Sequence, residues 1–383
     1  MKIIAIETRL TRIPFDIGAV PTAFAGMSWT ALDTLHVRLL TDTGREGWGE
    51  GWGHASCATT RNAVDTLVAP AVVGAAIGEP AERAALSERL FRQLHLHGRS
   101  GSVIGALSAL DIALWDLAAQ CAGLPLYRLL GDAASRADSG GKSRLDSLTC
   151  YASLLRYGTP DAVARAAGRA LERGYRDIKL HEVDVACVAA ARAAMGHDVR
   201  LTLDTNCPWS VEEALARCRE LAAFNLAWLE EPVWPPEDYA GLARVRREGG
   251  IPIAAGENVA GRLAWRALTA AGAVDFAQPS VIKCGGVGAW IDAAQEIGAN
   301  GAQLVPHCAY FGAGLLATLH LQAAFAPQAA FERLFMDLEA RPFGAWLDSS
   351  DGRIAVPQAA GLGCSADLAV LDRYALGPPT TIR

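Results

Sequence analysis

The sequence has no basic run, no Cys-x-x-Cys pair and no unbroken apolar stretch of membrane length. Against 35 Lys and Arg stand 41 Asp and Glu, a formal net charge of −6, so there is no electrostatic footprint for nucleic acid or an anionic membrane surface. Neither is expected as a partner. The nine cysteines are scattered singly and odd in number, which fits free buried thiols in a reducing compartment better than a disulfide framework. The opening residues 1–7 lack the apolar core and small-residue cleavage site of a signal peptide, and a cytoplasmic protein is expected. No Gly-x-Gly-x-x-Gly loop follows the first strand of the alternating region described below, which argues against a dinucleotide-binding fold.

What the chain does have is 51% apolar content over 383 residues, enough for one large barrel and a second, smaller domain. Residues 2–9 and 35–40 read as strands, the second closed by the turn Thr41-Asp42-Thr43-Gly44. Between them, residues 14–29 form a loop unusually apolar for a solvated connection (Phe15, Val20, Phe24, Met27, Trp29). Such a loop is either packed under another domain or a lid over a site. Residues 56–73, 80–96 and 105–121 have helical spacing, the last closed by Gly123 and Pro125. Asp111 and Asp116 inside it read as structural hydrogen-bonding groups, His95 and His97 as solvated, and the Gly/Ser-rich 137–147 as a flexible connection.

From residue 149 short apolar runs alternate with helical segments: 149–153, 177–181, 201–204, 227–230, 253–256, 275–279, 303–306 and 330–332. Eight such runs with helices between most of them fit a closed parallel barrel better than an open sheet. After residue 347 the pattern dissolves, and 352–383 is expected to fold back on the N-terminal domain.

Three of these runs end in a carboxylate: Asp204, Glu230 and Glu257. If each run is a parallel strand, all three project from the same end of the sheet, where a βα-barrel keeps its chemistry. Three carboxylates brought together repel, so a hard divalent cation is the natural compensation, and oxygen-only ligands favour Mg2+ over zinc. Strand residues two apart share a face, so Lys179 and His181 both point inward while Leu180 points to the helices. By the same alternation Asn206 can face whatever the metal holds, and of Glu230 and Glu231 one is a ligand and the other a neighbour; Glu230 is the choice. Lys283, His307 and Glu332 stand at the ends of the sixth, seventh and eighth runs. His320 in an apolar helix and His36 in a strand read as structural. A lysine or histidine base beside Mg2+ suits removal of a proton next to a carboxylate, where the metal and a neighbouring cation stabilise the enediolate.

With these residues in view the chain resembles the enolase superfamily, in particular its mandelate racemase and muconate lactonizing enzyme group. The resemblance runs through residues 43–50, 109–115, 174–181, Leu203-Asp204-Thr205-Asn206, Leu229-Glu230-Glu231-Pro232, Ala255-Gly256-Glu257-Asn258 and Lys283-Cys284-Gly285-Gly286. It implies an α/β architecture, a modified (β/α)7β TIM barrel with an α+β capping domain: residues 1–125 in the cap, 126–350 in the barrel, and 351–383 returning to the cap. It also implies Mg2+ on Asp204, Glu230 and Glu257, residues 14–29 with Trp29 as the lid that selects substrate, a small-molecule carboxylate as partner, and a homo-oligomer.

Two departures from the group's pattern stand out. The second strand carries Lys-x-His where Lys-x-Lys is usual, making His181 the substituted base and Lys179 the neighbour of the substrate carboxylate. At the end of the sixth strand Ser280 stands where the racemase branch has an aspartate supporting the seventh-strand histidine. Lys283 matches the catalytic sixth-strand lysine of the lactonizing and epimerase branch, so His307 and Lys283 are both candidates for the second face. Glu332 resembles the eighth-strand glutamate that hydrogen-bonds the substrate carboxylate; Ser153, Tyr157, Trp234 and the loop 52–57 are expected to tune specificity. The preferred activity is dehydration of a hydroxylated carboxylate such as an acid sugar, with His181 as base and His307 as acid. Racemisation, epimerisation or cycloisomerisation is the alternative, and a metal-binding barrel without catalysis the third reading.

Overall fold

The computed structural model describes residues 1–20, 23–24, 27–134, 145–349 and 351–383. Residues 21, 22, 25 and 26 of the expected lid, and 137–144 of the expected connection, lie outside the described residues.

The first half builds a cap. Strand Ile3–Asp16 pairs antiparallel with Ala31–Thr41, which pairs in turn with Glu46–Gly51. The alternating burial of the first strand turns Ile3, Ile6 and Leu10 onto the helices behind the sheet. Chief among these is Gly101–Ala122, ended by Gly123 in the left-handed conformation. This is the one described helix long and apolar enough to cross a membrane, but 89% of its apolar window is buried in the fold, where it forms the core of the cap. Gly49 lets it lie directly on the sheet: a Cβ there would come within 1.9 Å of the Ala109 carbonyl.

The second half is the barrel. Its eight strands, Ser147–Ser153, Asp177–Leu180, Arg200–Asp204, Leu226–Glu230, Ile253–Ala255, Phe276–Ala277, Gln303–Leu304 and Phe331–Leu334, are all parallel, and the eighth pairs with the first. A helix follows each of the first seven strands before the next begins, while the eighth runs on into strand Asp337–Leu338 and helix Leu368–Arg373 comes only in the C-terminal segment, which fits the (β/α)7β plan. The seventh and eighth strands are not hydrogen-bonded to each other among the described residues. A side chain bridges them instead, since the Cys308 amide donates to Glu332 Oε2 at 2.8 Å. The barrel interior is plugged by Tyr151, Trp228, Ala254 and Val305, a filled core with the site above it.

Buried carboxylates of the cap grip backbone amides of the barrel and tail. Asp116 accepts from Trp48 N at 2.9 Å and Leu362 N at 2.8 Å, and Asp111 accepts from Gly288 N at 2.9 Å. Glu50 accepts from Gly314 N at 2.8 Å, at the start of helix Ala313–Phe325. The two helical aspartates are therefore structural, as expected. So are His36, which faces Thr11 Oγ1, and His320, which takes the Tyr127 amide, while His95 and His97 are exposed. All nine cysteines are free.

The C-terminal segment differs from the simple return expected of it. Arg353–Ala355 first pairs antiparallel with the start of the first barrel strand, and then Ala375, which bridges Thr11, and Thr380–Ile382 reach the cap sheet beside Ile3–Asp16. Asp337–Leu338, placed in the barrel on sequence grounds, also pairs with the end of that cap strand. The long first strand overhangs the sheet and leaves edge groups that both segments satisfy.

Candidate active site

Lys179 is the hub. Its Nζ lies 2.5 Å from Glu230 Oε1, 3.0 Å from Asp204 Oδ2 and 3.1 Å from Glu332 Oε1, and all four side chains are essentially inaccessible to solvent. Burial alone would lower the lysine pKa, but Asp204, Glu230 and Glu332 together outweigh it and hold the ammonium charged. Burial, and next the charge of Asp204, push Glu230 well above the usual carboxylate range. Glu257 goes the other way: Lys283, at 2.8 Å, and His307, at 2.9 Å, overcome its burial and hold it well below that range.

Ligand atoms of Asp204, Glu230 and Glu257 lie within 4.8 Å of one another. Asp204 Oδ2 is buried with no hydrogen-bond partner, its contacts to Lys179 and His181 lacking hydrogen-bond geometry. An anionic oxygen left so in a low-dielectric site, beside two more carboxylates, fits a hard divalent cation. Glu231 stands aside: Asn258 Nδ2 donates to both its oxygens at 3.0 and 3.1 Å, and burial, then Glu257 and Asp204, push it up to about 8. Asn206, Cys207 and Glu231 all have positive φ (55°, 56° and 45°), a clustering of backbone strain found at functional sites.

Above this cluster opens a cavity of about 400 Å3. Of the residues named from sequence, Trp29, His181, Asn206, Glu257, Lys283 and His307 line it, together with Trp52 and Trp234. Lys179, Asp204, Glu230, Glu332 and Ser153 do not, lying buried beneath its floor. Ser153 is not positioned to touch a ligand there, because its hydroxyl donates to Glu332 Oε1 at 2.9 Å and so orients that glutamate. Tyr157 is also elsewhere: its hydroxyl donates to the Ile17 carbonyl at 3.1 Å and anchors the start of the expected lid.

The two histidines are held differently. His181 Nδ1 lies 2.6 Å from the Leu154 carbonyl, so that nitrogen carries the proton and Nε2 is left facing Asp204 Oδ2 at 3.2 Å. His307 presents Nε2 to Glu257, while its Nδ1 lies 3.3 Å from the Tyr310 hydroxyl, which also bonds Ser280 Oγ. Lys283 is tied to Glu257 and to Asn258 Oδ1 (2.7 Å) and lies 4.7 Å over the Trp52 ring.

Residues 5–131 match the mandelate racemase / muconate lactonizing enzyme N-terminal domain, and residues 162–370 match the enolase C-terminal domain-like family. The chain belongs to the mandelate racemase and muconate lactonizing enzyme family. It is an enzyme of the enolase superfamily, and both lyases and isomerases occur among its relatives. The D-galactarolactone cycloisomerase of Agrobacterium fabrum is 31% identical over 99% of this chain and 100% of its own length. The 3,6-anhydro-alpha-L-galactonate cycloisomerase of Streptomyces coelicolor is 31% identical over 97% of this chain and 99% of its own. The solved L-talarate dehydratase of Polaromonas sp. JS666, complexed with Mg and L-glucarate, superposes with a TM-score of 0.80 at 26% identity, covering 100% of this chain and 99% of that one.

Set against the family pattern, Tyr310 is a residue beside the site that sequence reasoning missed. The racemase aspartate is absent at Ser280, and the Tyr310 hydroxyl, fully buried, reaches His307 Nδ1 instead. Its signal lay in the spacing, since Tyr310 follows His307 by three residues in a loop that turns back on the sixth strand end. Arg156, whose Nε donates to the His181 carbonyl at 2.8 Å, was likewise unremarked, while His54, on the cap side of the cavity, belongs to the loop 52–57 expected to tune specificity.

Proposed function

We propose that this enzyme removes the α-proton of a small carboxylate and expels an oxygen from the neighbouring carbon, most simply as dehydration of an acid sugar. The observation that carries this reading is His181: with Nδ1 committed to the Leu154 carbonyl, Nε2 is the ring atom turned to the chemistry, 3.2 Å from Asp204 Oδ2 at the rim of the three-carboxylate cluster and on the cavity wall. Asp204, Glu230 and Glu257 would hold Mg2+, which when bound supplies the positive charge that stabilises the enediolate. Lys179 adds a fixed positive charge beneath it, oriented by Glu332.

His181 Nε2 takes the α-proton. His307 Nε2, in the loop after the seventh strand, gives a proton to the departing β-oxygen as its bond to carbon breaks, and the enol product rearranges to a 2-keto-3-deoxy acid. Tyr310 and Ser280 are neutral hydroxyls that orient the His307 ring but stabilise an imidazolium less than a carboxylate would, which suits a proton donor better than a base.

Cycloisomerisation is the second reading, favoured by the indoles of Trp29, Trp52 and Trp234 around the cavity and by the activities of the two cycloisomerase relatives. It differs only in that the departing oxygen is part of a ring, so the product is an isomer and no water leaves. Lys283, in the short helix Val281–Cys284 that follows the sixth strand, is the residue for return of a proton to carbon in a racemase or epimerase.

Proton NMR in D2O with Mg2+, on a library of acid sugars and their lactones and anhydro forms, tests this. Loss of the α-proton signal with a keto-deoxy product is expected for the wild type and not for His181→Asn. Turnover that survives in His181→Asn would remove the assignment.

A further inference from the structure

Outside the active cavity, one buried charge lacks an adequate partner. Glu332 faces the barrel interior, so the next residue of the eighth strand, Arg333, turns outward. A helix would cover such a residue behind the other strands, but here the chain runs on into Asp337–Leu338. Arg333 is nevertheless only 5% exposed. Its Cζ lies 3.9 Å from the centre of the Phe311 ring, a stack that fixes the guanidinium plane without using an N–H. Nη2 donates to Asp348 Oδ1 across 3.3 Å, and Nη1 is buried with no hydrogen-bond partner among the described residues.

Arg333 lines a polar cavity of about 90 Å3, several times the room one water needs. Arg173, Arg341, Asp337 and Asp348 line it too. Arg173 commits both Nη atoms to Asp337, at 2.8 and 2.9 Å, and that pair is complete. Asp348 is left to face two guanidiniums, Arg333 and Arg341, so the wall carries one positive charge more than its carboxylates balance. Arg341 Nε lies 2.5 Å from Asp348 Oδ2 without hydrogen-bond geometry, and it too is buried with no hydrogen-bond partner among the described residues. Burial pulls the Arg333 pKa below the usual arginine value, which Tyr175 and Asp348 offset only in part, yet an arginine does not give up its proton. A buried cation so weakly paired is costly, and an anion in the cavity would relieve it.

The bonded hydroxyls of Tyr175 and Ser349 add a further donor to the wall, since only one of their two hydrogens is used between them. Donors thus come from three segments of chain. A carboxylate has two oxygens to offer them and a phosphate group at least three, which the arginine fork also matches. We propose that this cavity is an oxyanion site for a phosphate group, either inorganic phosphate or the phosphate of a small monoester, with Arg333 and Arg341 as its principal donors. Leu334 is the one residue it shares with the active cavity, and the proposal does not depend on which reaction occurs there.

Isothermal titration calorimetry of the Mg2+-loaded protein with inorganic phosphate, glycerol 3-phosphate and acetate tests this, at physiological ionic strength so that surface pairing is screened. At least one of the two phosphates is expected to bind, and acetate at least about tenfold more weakly. Arg341→Gln, at a partly exposed position, and Arg333→Gln, its fold checked by circular dichroism, should each weaken the phosphate at least about tenfold, the size of one charged hydrogen bond. Stripping the metal should leave the affinity unchanged. Tighter binding of inorganic phosphate identifies the free ion as the ligand, and tighter binding of glycerol 3-phosphate identifies a monoester. No binding at millimolar phosphate, acetate binding as tightly, or binding that is lost with Mg2+ and indifferent to Arg341→Gln would overturn the proposal.

Discussion

Replacing Lys179 by methionine tests the charge balance of the site before any substrate is known. The ammonium is wholly buried and contacts Asp204, Glu230 and Glu332, so Lys179→Met, close in volume, changes charge far more than packing. Three buried carboxylates would be left facing one another with no cation among them, and breaking a buried pair of this kind costs about 3–5 kcal/mol. For a chain of this size that is a fall in melting temperature of roughly 5 °C in the presence of a chelator. A cation on Asp204, Glu230 and Glu257 would restore the balance, so at one fixed Mg2+ concentration, a hundred times the variant's dissociation constant, about 2.7 kcal/mol should return to the variant and less to the wild type, whose site already holds the Lys179 charge. Differential scanning calorimetry with a chelator and with Mg2+ reads both effects. A variant as stable as the wild type without metal, or one that gains no more than the wild type from Mg2+, would refute the reasoning.

Two further outcomes follow from other parts of the molecule. Tyr310→Phe removes the hydroxyl between His307 and Ser280, and should lower kcat about tenfold with KM little changed, since the tyrosine lies behind the histidine and outside the cavity; an effect on KM alone would deny it that role. The Glu50 carboxyl is pushed up to about 7 by burial. Because this lies above its ordinary 4.5, the folded chain holds that proton more tightly than the unfolded chain does. The contribution is full below about 4.5 and lost as pH rises through about 7. Urea unfolding between about pH 5 and pH 8 should show the wild type losing up to ~3 kcal/mol relative to Glu50→Gln, and parallel curves would contradict it.

The barrel was legible because buried parallel strands leave a simple trace, short apolar runs at regular spacing, each ending where a polar residue must face the mouth. Period-two alternation sent Lys179 and His181 inward and Leu180 outward, and the structure has Leu180 in the outer core. It could not separate a residue lining the cavity from one beneath the floor: Ser153 and Glu332 face inward as expected, yet bond each other one layer down. That depth depends on where the plug of Tyr151 and Trp228 ends, which no single strand encodes. Tyr310 escaped notice for a related reason, since it stands in a loop whose course is set by contacts distant in sequence. The C-terminal segment was too irregular for its two destinations to be told apart.

The grip of Asp111, Asp116 and Glu50 on barrel and tail amides has a mechanical consequence. A hinge between cap and barrel would have to strip two buried carboxylates, Asp111 and Glu50, of their barrel donors at once, so the joint behaves as a weld. The cap supplies Trp29, Trp52 and His54 to the cavity wall but cannot lift away as a body to admit a ligand. Entry and exit must then be worked by short stretches of chain at the rim, and the cavity keeps its depth and charge while its doorway alone changes.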